Sequence, residues 1–320
     1  MKALILTAGL GTRLRPLTNE RAKPSLPVIG IPTFWYSAWQ LQKTLGIKDI
    51  ALNLSHKPES IRAAAEDSDL TQATGVRFHY SDETTQVLGS SGALAKLAAS
   101  WIGKETLAVS NGDSICFPAW RKMLDFHQRS KALITLHLRA FSNTLEPYTN
   151  IAVADDGRVL TFGEKAQKGV MFSGCYLFEP SLLARIPSGV SELVPTLLKP
   201  LSAEGKLYAY IENTEWFDTG SVATYAQTQF DLLKKIPDAR PLIEIKMRED
   251  SRDCWVSRDW SRAANKPALR GPVVMSGRQE DWAVHASLYG PRFVGIESPV
   301  SGLSIPTENA IVLGSQIERL

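Results

Sequence analysis

The sequence predicts an α/β fold: a mixed, mostly parallel sheet with helices on both faces, followed by a small β-rich C-terminal region. Three observations carry this prediction. Short apolar runs alternate with helix-patterned stretches as far as Arg129. From Leu133 the pattern turns to strands joined by short connections. Beyond the charged, proline-bearing stretch at 234–241, helical periodicity is lost, which divides the chain into a unit at 1–236 and a β-rich unit at 237–320.

Residues 3–7 form a short apolar strand that runs straight into Ala8-Gly9-Leu10-Gly11-Thr12-Arg13. Apolar residues at helical spacing over 34–45 end at Gly46, a suitable C-terminal stop. A strand over 49–54 is followed by a helix over 58–65 with Pro58 in its first turn. A strand over 76–80, a helix over 93–99 and a buried strand over 106–109 lead to the turn Asn111-Gly112-Asp113 and a helix over 118–129. Then come strands over 133–138, 151–154, 159–162 and 172–178, with Asp155-Asp156-Gly157 as a hairpin turn. Residues 192–201 read as helical despite Pro195, 208–211 as a strand, and 222–234 as a long helix after Trp216-Phe217-Asp218-Thr219-Gly220. Ligands of such sheets gather beyond the carboxyl ends of the strands, where the first glycine loop and Asn111-Gly112-Asp113 both fall.

Composition excludes several classes. The chain has 320 residues, 44% hydrophobic and 22% charged, as expected of a globular protein with a sizeable core. A net charge of +3 with dispersed basic residues gives no footprint for nucleic acid. No apolar run reaches the roughly 20 residues of a membrane span, and no signal-peptide pattern precedes the first strand, so a cytoplasmic protein is expected. Cys116, Cys175 and Cys254 are odd in number and widely spaced, which suggests no disulfide or metal framework. Cys175 reads as buried packing, with no histidine partner evident nearby, and the five histidines show no ligand spacing.

The opening loop carries the chemistry. Two glycines separated by one residue let the backbone turn tightly and bring its N–H groups close to an anion. Thr12 adds a hydroxyl, Arg13, Arg15 and Lys23 add cations, and the combination reads as a polyphosphate site. A P-loop would need Gly-Lys-Ser/Thr where this chain has Gly11-Thr12-Arg13. A dinucleotide fingerprint would need a third glycine at Leu14, and Pro16 would disrupt a helix starting there. Taken singly, Asp113 after a strand and Asp218 before Thr-Gly read as a turn residue and a helix cap.

Gly9-Leu10-Gly11-Thr12-Arg13-Leu14-Arg15-Pro16-Leu17-Thr18, with Lys23-Pro24 and Leu26-Pro27-Val28, resembles the opening motif of the sugar-1-phosphate nucleotidyltransferases. The resemblance covers about residues 1–233 and implies a Rossmann-like catalytic domain that joins a nucleoside triphosphate to a sugar 1-phosphate and releases pyrophosphate. It implies Mg²⁺ held by Asp113 and Asp218, and Arg13 and Lys23 as the cations serving the triphosphate. It implies nucleotide contacts from Leu10, Gly11 and Thr12, and a base-facing loop at Leu88-Gly89-Ser90-Ser91-Gly92-Ala93-Leu94, with Glu83 within reach of ribose or base. On the sugar side it implies Asn111, Glu164, Lys165 and Gly174. Ala166 replaces the family's usual proline after that lysine, and Ser90-Ser91 replace its commoner Thr-Ala. Arg15 reads as a surface charge.

The sequence is most similar to the mannose-1-phosphate guanylyltransferase and N-acetylmuramate-1-phosphate uridylyltransferase branches, with GTP preferred. Uridylyl or thymidylyl transfer, a non-sugar phosphate acceptor, and a catalytically silent regulatory homologue are the alternatives, and homo-oligomerisation is left open. Short apolar pairs near Gly277, Gly295 and Gly314 resemble the hexapeptide repeats of an irregular left-handed β-helix, with a plain β-rich tail as the other reading.

Overall fold

The computed structural model describes residues 1–98, 100–141, 148–166, 168–251 and 254–258, and the strand segments 273–275, 293–295, 310–313 and 316–319. The central sheet is built from β1 (Lys2–Leu6), β2 (Asp49–Leu54), β3 (Arg77–Asp82), β4 (Leu107–Asn111), β5 (Ile134–Phe141), β6 (Gly169–Phe178) and β7 (Leu207–Ile211). Their spatial order is β7-β5-β6-β4-β1-β2-β3. All neighbours are parallel except β6, which runs antiparallel to both β5 and β4.

Alternation along the strands divides the core in two. Ala3 and Ile5 enter one apolar cluster and Leu4 the other; Ala108 is parted in the same way from Leu107 and Val109, and Leu177 from Tyr176 and Phe178. A period of two sends successive side chains to opposite faces, so both faces need cover. Helices α1 (Thr33–Leu45), α2 (Pro58–Ala65) and α3 (Ser68–Thr74) cover the first face with Phe34, Trp35, Ile61 and Leu70. Helix α4 (Gly89–Ala98) covers the second with Leu94 and Leu97. Helix α5 (Trp120–Ser130) returns to the first face through Trp120 and Met123.

Several elements differ from the sequence reading, each for a local reason. The first strand ends at Leu6 rather than Thr7, because the Thr7 N–H donates to Asn53 Oδ1 (2.7 Å) instead of joining the ladder. Helix α3 has no counterpart in the sequence reading; Asp67 caps it by accepting from the Asp69 and Leu70 N–H groups. Helix α4 starts at Gly89, so the motif read as a loop before the helix is the helix's first turn. The helix expected over 192–201 is a π-helical turn at Val194–Leu198 followed by α6 (Lys199–Ala203). Pro195 and Pro200 both lack an N–H to donate, which favours such a break.

The long helix α7 (Val222–Lys235) starts with a capping box between Ser221 and Thr224. The proline-bearing stretch after it is not a bare linker. It contains helix α8 (Arg240–Lys246), whose Leu242 and Ile243 join the first-face cluster together with Met247 and Trp255. Lys246 also bonds Asp67 and Asp69, at 2.9 and 2.8 Å. Beyond lies a six-stranded sheet in which Cys254, Val273, Phe293 and Ala310 pair in parallel register, at steps of 17 to 20 residues. Gly277 and Gly314 of the expected repeat lie outside the described residues.

Candidate active site

Parallel register brings the two predicted motifs together. Leu6 and Asn111 end β1 and β4 as direct partners, and the Gly112 N–H donates to the Leu6 carbonyl (2.9 Å). The glycine loop and the Asn111-Gly112-Asp113 turn therefore leave the sheet side by side. Gly11 adopts φ +58, in the left-handed region, and packs so closely on Lys23 and Thr18 that a Cβ would lie 3.0 Å from each. Its carbonyl accepts from Thr18 Oγ1 (2.9 Å), which ties the loop to the short turn Leu17–Asn19. Thr12 and Arg13 begin the short helical turn Thr12–Leu14.

A second ribbon supplies the other carboxylate. Trp216–Asp218 pairs antiparallel with Ser114–Cys116, placing Asp218 opposite Ser114, and Thr219 Oγ1 donates to the Asp113 carbonyl (2.9 Å). Lys23 is 8% exposed, and its ammonium lies 2.8 Å from Asp113 Oδ2 and 3.8 Å from Asp218 Oδ1. One cation thus faces two carboxylates contributed by separate elements. Arg13 and Asp218 both approach Gly220: a Cβ there would lie 3.1 Å from Arg13 Nη2 and 2.7 Å from Asp218 Oδ1.

These groups open onto a cavity of about 400 Å³. Among the sequence-predicted residues, Gly11, Thr12, Arg13, Lys23, Gly89, Ser90, Asn111 and Asp113 line it. Asp218 is placed at its edge by its contact with Lys23. Leu10 is exposed at the loop tip, away from the lining, and Gly92 packs on the Gly189 carbonyl. Gly174 has φ +89 and stands against the Asn111 side chain, so the sugar-side pair Asn111 and Gly174 is in contact. Glu164 and Lys165 lie on the exposed strand Val159–Ala166, outside the cavity lining.

Glu83 is 1% exposed and does not line the cavity, in contrast to the expected reach toward ribose or base. Its carboxylate instead accepts from Asn53 Nδ2 (3.2 Å) and the Leu88 N–H (3.1 Å), bracing the loop above it. Burial raises its pKa, and those two hydrogen bonds oppose the rise. Sequence reasoning also missed Asn53, a polar residue near the end of a mostly apolar strand, whose Oδ1 accepts from the Thr7 and Ala8 N–H groups as the glycine loop departs. It missed Glu192 as well, which lines the cavity and bonds Ser90 across a long sequence separation with no local motif to announce it.

Cys116 and Cys175 are buried free thiols, and the absence of a histidine near Cys175 is corrected. Buried His137 lies 2.7 Å from Ser173 Oγ, which in turn accepts the Cys175 N–H (3.3 Å), while the other ring nitrogen bonds Glu212 (2.9 Å). His137, Ser173 and Cys175 are buried, and the network, closed at its outer end by the partly exposed Glu212, braces β6 around Gly174.

The model of the nucleotidyl transferase family matches residues 2–235. The chain belongs to the nucleotidyl transferase family. Similar family members include a mannose-1-phosphate guanylyltransferase of Mycobacterium tuberculosis, 31% identical over 73% of this chain and 65% of its own length. A UTP–glucose-1-phosphate uridylyltransferase of Synechocystis is 30% identical over 92% of this chain and 78% of its own length. The chain thus spans about two thirds of the Mycobacterium relative. Among solved structures, HddC from Yersinia pseudotuberculosis, complexed with GMP-PN, superposes with a TM-score of 0.61 at 20% identity, covering 72% of this chain and 99% of that one. This likeness confirms the mixed α/β fold. Among the described residues, no helix is long and apolar enough to cross a membrane.

Proposed function

We propose that this nucleotidyl transferase joins a nucleoside triphosphate to a sugar 1-phosphate and releases pyrophosphate, with GTP and a hexose 1-phosphate as the preferred pair. The observation that carries the reading is Lys23 between Asp113 and Asp218, at the mouth of the glycine loop. Attack of one phosphate on another brings like charges together, so the site must supply cations and positioning. In this reading Arg13 and the backbone N–H groups of Leu10, Gly11 and Thr12 brace the triphosphate, and Lys23 neutralises charge growing at the α-phosphate. Gly89 and Ser90 border the base. Gly174 makes room for the Asn111 side chain, which meets the sugar in this reading, while Glu164 and Lys165 reach its hydroxyls and phosphate from their exposed ribbon.

The donor set suits magnesium. Two carboxylates, one from the turn after β4 and one from the strand Trp216–Asp218, face one cation, and hard oxygen ligands completed by phosphate oxygens are what Mg²⁺ favours. Asp113 and Asp218 would hold it, and it would supply charge neutralisation at the α-phosphate of the transferred nucleotidyl group and at the departing pyrophosphate. The same reading assigns catalysis to 1–236 and a β-rich unit to 237–320, whose first residues, Leu242, Ile243, Met247 and Trp255, pack into the first-face core. The proposed setting is the cytoplasm.

GTP is preferred because the Mycobacterium relative is named a guanylyltransferase. Uridylyl transfer is the second reading, favoured by the Synechocystis relative, whose match extends over 92% of this chain. Pyrophosphate release with GTP, UTP, dTTP, ATP or CTP, each paired with mannose or glucose 1-phosphate and Mg²⁺, tests both. Turnover with GTP is expected. No pyrophosphate from any pair, together with a nucleotide-induced rise in melting temperature, would instead identify a silent binding homologue.

A further inference from the structure

The start of α4, Gly89-Ser90-Ser91-Gly92, has the composition of an anion cradle, and a helix N-terminus ordinarily offers free N–H groups to phosphate. Here three of those donors are occupied. The Ser90 N–H donates to Glu192 Oε2 (3.2 Å), and the Ser91 and Gly92 N–H groups both donate to the Ser191 carbonyl (3.1 Å). Ser90 Oγ also donates to Glu192 Oε2 (2.6 Å) and itself accepts the Leu193 N–H (2.8 Å). A carboxylate therefore stands where a phosphate could have bound, on a wall of the same cavity that Arg13 and Lys23 line.

That arrangement gives the cavity a sign preference. Phosphates are drawn to Arg13 and Lys23 and repelled by Glu192, so the uncharged end of a nucleotide belongs on the Glu192 wall. Val87, 40% exposed and part of the lining, offers that end an apolar surface. The carboxylate is held in place: Oε2 takes two bonds from Ser90, and Oε1 stands against Gly89, where a Cβ would come within 2.7 Å of it.

We propose that Glu192 is the residue that selects the base, accepting the N1–H and 2-amino donors of guanine; the inference rests on the nucleotidyl transfer proposed above. An ionised carboxylate only accepts hydrogen bonds. Guanine presents two adjacent donors on one edge, which match two carboxylate oxygens. Uracil and thymine present a single N–H flanked by carbonyl oxygens that the carboxylate repels. Adenine and cytosine place a ring acceptor beside their amino group, with the same penalty.

The test is a comparison of GTP, ITP (which lacks the 2-amino group), dGTP and UTP by kcat/KM, in wild type, Glu192→Gln and Glu192→Asp. Wild type should prefer GTP over ITP by roughly 10- to 100-fold, the range of a charged hydrogen bond. Glu192→Gln should bring that ratio close to one, mainly through KM, and Glu192→Asp should lower it. Loss of the Ser90 cap alone would weaken GTP and ITP equally, and an unchanged ratio in both variants overturns the proposal. So does a wild type that does not distinguish GTP from ITP. If the substitutions erase a GTP-over-dGTP preference instead, Glu192 reads the ribose and the proposal fails. A wild type that uses UTP and not GTP refutes guanylyl transfer itself, and the base assignment with it.

Discussion

Replacing Gly220 by alanine should damage catalysis without unfolding the protein. A methyl group at this position would lie 2.7 and 2.9 Å from the two carboxylate oxygens of Asp218 and 3.1 Å from Arg13 Nη2. Non-bonded heavy atoms favour separations of about 3.5 Å, so the carboxylate must withdraw by roughly 0.5–1 Å. The backbone does not resist the change, because Gly220 is outside the left-handed region. Alanine in a permitted conformation even restricts the unfolded chain, worth about 0.4–1 kcal/mol. The expected cost is therefore functional. A misplacement of about 1 Å in a positioned catalytic array can cost 10²-fold, and each tenfold is about 1.4 kcal/mol of barrier. Gly220→Ala should lower pyrophosphate release by about 10- to 100-fold and shift the Mg²⁺ titration to higher concentration, with a melting temperature at or above wild type. Gly103→Ala, where a Cβ meets nothing within 4 Å, is the matched control. Turnover within about twofold of wild type, with an unchanged Mg²⁺ titration, would refute the role given to Asp218.

Other perturbations address the same cluster and one remote group. Lys23→Ala should lower the rate by about 10²- to 10³-fold, the usual effect of removing one preorganised charge donor, with the folded circular-dichroism spectrum retained; near-normal turnover would remove Lys23 from the mechanism. Asp218→Asn should raise the Mg²⁺ requirement, and an unchanged requirement would count against its assignment. His127 is held below its ordinary pKa by burial, against the opposing pull of Glu179. A histidine kept neutral in the fold contributes stability above its unfolded pKa, and that contribution is lost as the pH falls through the lowered value. Melting temperature should therefore fall between about pH 7 and pH 5, less steeply in His127→Gln; equal slopes would show that His127 does not govern it.

What could be read in the sequence followed the reach of each interaction. Strands β1, β2 and β4 announced themselves through short apolar runs, because burial on both faces demands continuous hydrophobic residues. The glycine loop and Lys23 were legible as a compact local pattern, whereas Asp113 and Asp218 stood out only through the family resemblance. Parallel pairing of β1 with β4 brings Asp113 beside the loop, and the ribbon of Trp216–Asp218 on Ser114–Cys116 brings in Asp218. Glu83 and Glu192 were not. Their assignments depend on contacts made across the fold: Glu83 is drawn inward by Asn53, and Glu192 reaches Ser90 from more than a hundred residues away. Helix α3 escaped for another reason, since its Ser-Asp-Leu-Thr-Gln-Ala-Thr sequence has little apolar periodicity and depends on Asp67 for its start.

The ion pair between Lys23 and Asp113 bears on the order in which ligands enter. A tethered ammonium already lies against the carboxylates that a divalent ion would need, so a free ion must compete with a cation whose local concentration is set by the fold. Triphosphate offers Lys23 another anion and so lowers the energetic demand of leaving Asp113. With Asp113 and Asp218 as the metal ligands proposed above, metal and nucleotide would enter as a joint ligand rather than the metal alone.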